Sequence, residues 1–187
     1  KRVLGRGRAL GYNAQVAAEF EFLLFVEALD SVREKGYRDL QPMTPGMFGY
    51  SVLRSSTHED LYHQLMALCE QMGMPLEGLH TETGPGVLEA ALEHQDALRA
   101  ADNAALFKTF TKVLAQQHGL MATFMARWSS DLPGQSGHLH LSLQERGGDA
   151  AFYDEAAPDS MSDVMRWFIG GQQKLMPELL SMVAEHL

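Results

Sequence analysis

The stretch Ala17-Ala18-Glu19-Phe20-Glu21-Phe22-Leu23-Leu24-Phe25 constrains this chain more than any other. Two carboxylates alternate there with two aromatic rings before the sequence turns wholly apolar. Period-two alternation is the mark of a strand with one buried face, so Phe20 and Phe22 turn into a core while Glu19 and Glu21 share the other side. At about 3.3 Å of rise per residue the two carboxylates stand roughly 7 Å apart, a separation that can flank divalent cations. An ordinary strand with a solvated acidic face has the same pattern, so the chemistry depends on what else reaches that face.

The chain has 187 residues, 45% hydrophobic and 21% charged, which is enough for one full-sized domain with a real core. Its net charge of −9 argues against nucleic acid or an anionic membrane as partner. Cys69, the single cysteine, lies among Leu65, Leu68 and Met72 in an expected helix. It can make no internal disulfide and reads as a buried thiol in a reducing, cytoplasmic setting. No apolar run approaches the roughly 20 residues of a membrane span.

Along the chain, Lys1 to Arg8 contains G-x-G without the third glycine or a preceding strand, so it is no dinucleotide fingerprint and reads as the approach to the first strand. Residues 30 to 50 show no period and are expected to form a long connection. Ser56-Thr57-His58-Glu59 has the form of a capping box ahead of Leu61, Leu65, Leu68 and Met72, and Gly73 with Pro75 stops that helix. Leu76 to Glu82 and Val87 to Leu92 are strands around a Thr83-Gly84-Pro85-Gly86 turn. A helix is expected from Asp96 to His118 on Ala100, Phe107, Phe110 and Leu114, with Lys108 and Lys112 outside and Gly119 beyond its end. Leu120 to Met125 is a buried strand, and His138-Leu139-His140-Leu141-Ser142-Leu143 alternates with His138, His140 and Ser142 on one face. After a Gly147-Gly148 turn, Ser160 or Ser162 caps a further helix, and Pro177 opens a last apolar segment running to Leu187. This order gives an α+β domain, a curved and mainly antiparallel sheet with helices packed on one face.

Glu19, Glu21, Glu82, Glu89 and His138 all fall on or beside strands. Four carboxylates and one imidazole form a donor set for Mg²⁺ or Mn²⁺, too rich in oxygen for structural zinc. The segments Glu19 to Phe25, His80 to Glu89, Asp102-Asn103 ahead of Lys108, His118-Gly119, Thr123-Phe124-Met125, Gly134 to Leu143 and Phe168-Ile169-Gly170-Gly171 resemble, in order and spacing, the catalytic domain of glutamine synthetases. That resemblance implies a ligase that phosphorylates the γ-carboxylate of glutamate with ATP and lets ammonia or an amine displace the phosphate. It also implies a nitrogen-metabolism enzyme that assembles as a homo-oligomeric ring. By the same likeness Glu21, Glu82 and Glu89 hold one metal, and Glu19 with His138 holds the metal at the ATP phosphates. Glu77, Ala90, Ala91, Leu92, His140, Leu141 and Ser142 match the nucleotide pocket, and Gly134, with Pro133 beside it, matches the backbone that receives glutamate. His80 is a possible supporting residue, and no catalytic residue is assigned.

Glu77 stands five residues from Glu82, so a regular strand puts the two on opposite faces and a bulge is needed to align them. Where ammonia-using members carry Gln and Asn, this chain has Val87 and Pro133, and the loop before His138 reads Gln135-Ser136-Gly137. These departures point toward an amine or a different acid, as in γ-glutamylamide ligases. The family's small β-rich N-terminal domain and C-terminal run of arginines have no counterpart in residues 1 to 187, so the chain is expected to be part of a catalytic domain. A scaffold that has lost its chemistry, or a metal-dependent hydrolase built on His138-x-His140, are the alternative readings.

Overall fold

The computed structural model describes residues 1–183, and the expected end of the last apolar segment, through Leu187, lies outside the described residues. In chain order the elements are α1 (Arg2–Ala9), β1 (Tyr12–Phe25), α2 (Leu29–Glu34), α3 (Val52–Ser56), α4 (Glu59–Gln71), β2 (Leu76–Thr81), β3 (Val87–Leu92) and β4 (Gln95–Asp96). They continue with α5 (Ala97–Gln117), β5 (Met121–Thr123), β6 (Gly137–Glu145), a 3₁₀ turn at Pro158–Ser160, α6 (Asp163–Lys174) and α7 (Met176–Val183). The fold is α+β. Its sheet runs β2-β3-β1-β4, with β5 and β6 also paired to β1, and the β1–β3, β2–β3 and β1–β5 pairs are antiparallel. The chain divides into two compact units.

The larger unit comprises Ala17–Gln95 and Arg99–His140. Alternation along β1 works as the sequence dictates: Ala18, Phe22 and Leu24 are buried on one side, where Phe22 and Leu24 share a core with Leu88, Ala90 and Leu92 of β3. That face is covered by Leu61, Leu65 and Cys69 of α4 and by Phe107, Leu114 and Ala115 of α5. Phe20, Phe22, Phe107 and Phe124 form an aromatic cluster with centroids 5.3 to 6.2 Å apart. Each fully buried ring of this kind contributes roughly 1.5–3 kcal/mol by leaving water. The opposite face carries the acids, and toward the C-terminal end of β1 it is closed by a smaller cluster of Leu23, Phe25, Val32, Leu40 and Val87.

The smaller unit comprises Lys1–Val16, Asp96–Leu98 and Leu141–Leu187. Within it Arg8 pairs with Asp96 at 3.2 Å, Phe152 packs on Phe168 at 5.1 Å, and Ser162 caps α6 by accepting from the Met165 N–H.

Several local expectations change. The approach to the first strand, Lys1 to Arg8, lies almost wholly in helix α1, whose last turn carries Arg6 and Arg8 where the helix dipole favours cations. The supposed connection after residue 30 contains α2, and β1 begins earlier, at Tyr12. Ser56 does not cap α4: it ends α3, and His58 takes the N-cap position without a side-chain bond. Gly73 does end α4, at φ +67. On α5 the buried stripe runs through Asn103 and Thr111, with Phe110 only half-buried beside it. Lys108 and Lys112 do not simply face away from the molecule. Their ammonium groups lie 5.2 to 5.8 Å from the Phe20 and Phe124 rings, as cation–π contacts do.

Candidate functional site

Antiparallel register assembles the acid face. Glu21 of β1 lies opposite Glu89 of β3, and Glu89 lies opposite His80 of β2. Residues directly opposite each other point to the same side, so these three and Glu19, two residues from Glu21, share one face. Glu82 follows β2 and its N–H donates to the Val87 carbonyl, so the Thr83–Gly86 turn brings it back beside the start of β3. Donor atoms of His80, Glu82 and Glu89 all lie within 4.8 Å of one another, close enough to share one ion. His80, treated from sequence as a supporting residue, thus stands inside the cluster; the signal available was its H-x-E spacing to Glu82, which keeps both on one face of a strand.

The environments split the carboxyl groups. Burial pushes Glu89 up, and the charges of Glu19, Glu82 and Glu21 add to that, against the opposing pull of His80. Glu82 moves down: burial works to raise it, but the Tyr50 hydroxyl, the Thr83 N–H at 2.7 Å and nearby His80 outweigh burial. Tyr50 was not legible from sequence. Its ring stacks on His80 at 4.6 Å, and its hydrogen bond to Glu82, followed by the charge of Glu82, holds its phenol above the usual tyrosine range.

Glu21 is held by Ser136, whose N–H and hydroxyl donate to its two oxygens at 3.0 and 2.8 Å. Glu19 is bracketed by His138 Nδ1 at 3.0 Å and His140 Nε2 at 2.9 Å, so the H-x-H alternation sets both imidazoles on one carboxylate. Glu77 sits at a bulge, where β2 shifts register between Leu76 and Gly78. Leu76 and Leu79, three residues apart, both pack on the same core while Gly78 pairs with Ala91 on the acid side, so Glu77 is the extra residue that the bulge takes up.

Ala90 and Leu92 are buried in the core beneath the helices, and only Ala91, opposite Glu19, faces the acid side. Leu141 and Ser142 belong to the smaller unit. Pro133 and Gly134 lie on an exposed loop, where a Cβ on Gly134 would stand 2.8 Å from the Ala126 carbonyl. Val87 is 3% exposed, among Leu23 and Phe25, so its departure from Gln alters a packed interior rather than an open wall. Arg127 donates to the carbonyls of Ser129, Ser130 and Leu132 in its own loop.

Carboxylate oxygens and imidazoles are donors that a hard dication can take. The sequence model described as "Glutamine synthetase, catalytic domain" matches residues 1–187. The chain belongs to the glutamine synthetase family. Type-1 glutamine synthetase 2 of Dictyostelium discoideum is 43% identical over 98% of this chain and 35% of the relative. Glutamate–isopropylamine ligase of a Pseudomonas species is 33% identical over 96% of this chain and 39% of the relative. Among solved structures, GmaS in complex with ADP gives a TM-score of 0.79 at 26% identity, over 91% of this chain and 38% of that chain. This chain therefore spans little more than a third of the length of the glutamine synthetase family proteins it matches. No helix among the described residues is long and apolar enough to cross a membrane.

Proposed function

We propose that the protein carrying this chain is a ligase that joins ammonia or an amine to the γ-carboxylate of glutamate, or of a related acid, using ATP and passing through a γ-glutamyl phosphate. The observation that carries the reading is the convergence of His80, Glu82 and Glu89 beside Glu21 on one sheet face. The chain would supply the part of the site that carries metal. Glu21, Glu82 and Glu89 would hold one Mg²⁺ or Mn²⁺, and Glu19 with His138 a second. When bound, such ions neutralise charge on the phosphates and polarise the phosphoryl group.

The remaining work falls to the side chains. Ser136 fixes the orientation of Glu21, and the Tyr50 hydroxyl and Thr83 N–H keep Glu82 ionised at neutral pH. The same carboxylates attract a cationic acceptor, ammonium or alkylammonium, and the exposed ring of Tyr50 offers such a cation a π face. The likeness to a glutamate–isopropylamine ligase and the proline at 133 support an amine acceptor. Glu77, Ala91 and His140 lie on the side where ATP would bind. The cations that phosphoryl transfer also needs would come from the rest of a protein that works as a cytoplasmic homo-oligomer.

The test is phosphate release by the purified protein with Mg²⁺, ATP and glutamate, using ammonium, methylamine, ethanolamine and isopropylamine in turn. Release that depends on both glutamate and acceptor, and that drops at least about 100-fold in Glu82→Gln, is expected. Metal binding without acceptor-dependent release would favour the scaffold reading.

A further inference from the structure

We propose that the pocket at the Phe25 end of β1 is a binding site for a monocarboxylate with an apolar body, apart from the acid cluster. The pocket holds about 440 Å³, and small-molecule sites run roughly 300–1,000 Å³. Phe25 and Trp128 meet edge to face at 4.9 Å in its wall, with Leu40, Met121 and Met125 completing the apolar lining. None of Glu19, Glu21, His80, Glu82 or Glu89 lines it.

Three features separate it from a surface dent. Phe25 and Leu40 are buried at its base while Leu29, Tyr37 and Met125 leave apolar surface open at its rim, an arrangement unfavourable in water unless something covers it. Tyr37 is held at φ +62, in the left-handed region that a tyrosine rarely adopts and that recurs at ligand sites. The charge of the lining is also one-sided: Lys112 is its only ionisable group other than the Tyr37 phenol, and no Asp or Glu is present, although the chain as a whole carries −9.

Those features define the ligand. Lys112 has no carboxylate partner among the described residues, its ammonium resting instead 5.8 Å from the Phe124 ring. A carboxylate would give it a charge-assisted hydrogen bond, with Thr123 and Gln116 as neutral neighbours. One lysine suits a monoanion better than a phosphate, which sites usually grip with more than one cation or a row of N–H groups. An ammonium ligand would meet a like charge. Rings and thioethers suit an alkyl or aryl body, since methionine adapts its shape to what it packs against.

Octanoate serves as the probe, with octylammonium and octanol as charge controls, read by NMR of ¹³C-methyl methionines. Octanoate is expected to shift the Met121 and Met125 methyls while leaving Met66, exposed on α4, unmoved. Lys112→Gln should weaken octanoate at least fivefold and Lys112→Arg by less than twofold, with octylammonium causing no shift. Equal affinity for octanol and octanoate, unchanged octanoate binding in Lys112→Gln, no binding of octanoate, or shifts spread over all exposed methionines would each overturn the proposal. Because the readout is binding at named methyl groups, it stands or falls independently of the ligase reading.

Discussion

The phenol of Tyr50 stacks on the imidazole of His80, centroids 4.6 Å apart and 28° from parallel, and its hydroxyl does most among the neighbours of Glu82 to lower that carboxyl. Two backbone bonds pin this contact: the Tyr50 N–H donates to the Thr81 carbonyl at 2.7 Å, and the Ser51 N–H to the Thr81 hydroxyl at 2.9 Å. Tyr50→Phe keeps the stack and removes the donor, so the Glu82 carboxyl should move up toward the ordinary range. Proton competition then begins at higher pH. Mn²⁺ affinity, followed by electron paramagnetic resonance, should be little changed at pH 7.5 and fall about two- to fivefold more than in the parent at pH 5.5. A uniform loss at both pH values would mean that the phenol acts on the loop rather than on Glu82.

Glu89 sets metal binding against stability of the metal-free protein. Its raised carboxyl pKa means that the folded state disfavours the ionised form, so it lowers stability above the unfolded pKa and ceases to do so once protonated in acid. Glu89→Gln should raise the Tm of the protein in EDTA by about 1–3 °C at pH 7.5 and not at pH 4, because one like charge leaves the cluster. The same change should weaken Mn²⁺ binding at least about tenfold. Calorimetry with and without Mn²⁺ checks both signs.

Glu27 is the opposite case. It is buried, accepts from Lys35 Nζ at 2.5 Å, from the Ser31 hydroxyl at 2.6 Å and from the Gln41 N–H at 3.0 Å, and ties the segment after β1 to α2. The Lys35 bond foremost, then those of Ser31 and Gln41, lower its pKa to about 2. A depressed carboxylate stabilises the fold above its unfolded pKa, near 4.5, and loses that contribution as pH falls toward 2. Lys35→Met should therefore lower the denaturation midpoint markedly at pH 7 and much less at pH 2.5. A pH-independent loss would show that the lysine stem, not the ion pair, matters.

Gly86 closes the turn beneath the acid cluster at φ +73, where a Cβ would stand 2.5 Å from the Leu24 carbonyl and 3.2 Å from the Met43 N. Its own N–H donates to Thr44 and its carbonyl accepts from Leu24. All the near atoms but one are backbone and cannot step aside. Gly86→Ala should cost about 3 kcal/mol or more in chemical denaturation, from left-handed strain plus backbone displacement. A loss below about 1 kcal/mol would mean that the turn adapts.

What could be read from sequence follows the range of the interactions. The faces of β1 and β3 and the course of α4 and α5 come from local periodicity, which burial of Phe22, Leu88, Leu65 and Phe107 enforces. Helix α1 was hidden because Gly5 and Gly7 weaken helix propensity and none of its residues is buried, so no apolar stripe marks it. Tyr50 and Ser136 come to Glu82 and Glu21 from loops distant in sequence, held there by backbone bonds to Thr81 and Glu21 that no local pattern reveals. The bulge at Glu77 could be named as a requirement, but whether β2 slips is decided by Leu76 and Leu79 seeking the same core. The resemblance proposed a ligand set as a whole; register shows Glu21 opposite Glu89 and Glu89 opposite His80.

The 187-residue chain by itself should bind Mg²⁺ or Mn²⁺ and yet not turn over. Phosphoryl transfer spreads negative charge over the equatorial oxygens, and sites answer it with Arg or Lys as well as with metal. Several cations of the larger unit are engaged elsewhere: Arg127 on three loop carbonyls, Lys108 over Phe20 and Phe124, Arg54 over Phe48, and Lys35 on Glu27. Arg99 donates to the Met72 and Gly73 carbonyls at the end of α4. Among the described residues the basic partners of Glu19 and Glu82 are imidazoles, so an incoming triphosphate would meet the acid face with little fixed positive charge beyond any bound metal. Purified alone and given Mg²⁺, ATP, glutamate and an amine, the chain should give a metal-dependent rise in Tm and phosphate release at least about 1,000-fold below that of the protein that carries it, on the scale that arginine supplies in phosphoryl transfer. Turnover within tenfold of that protein would show that the acid face and its metals suffice.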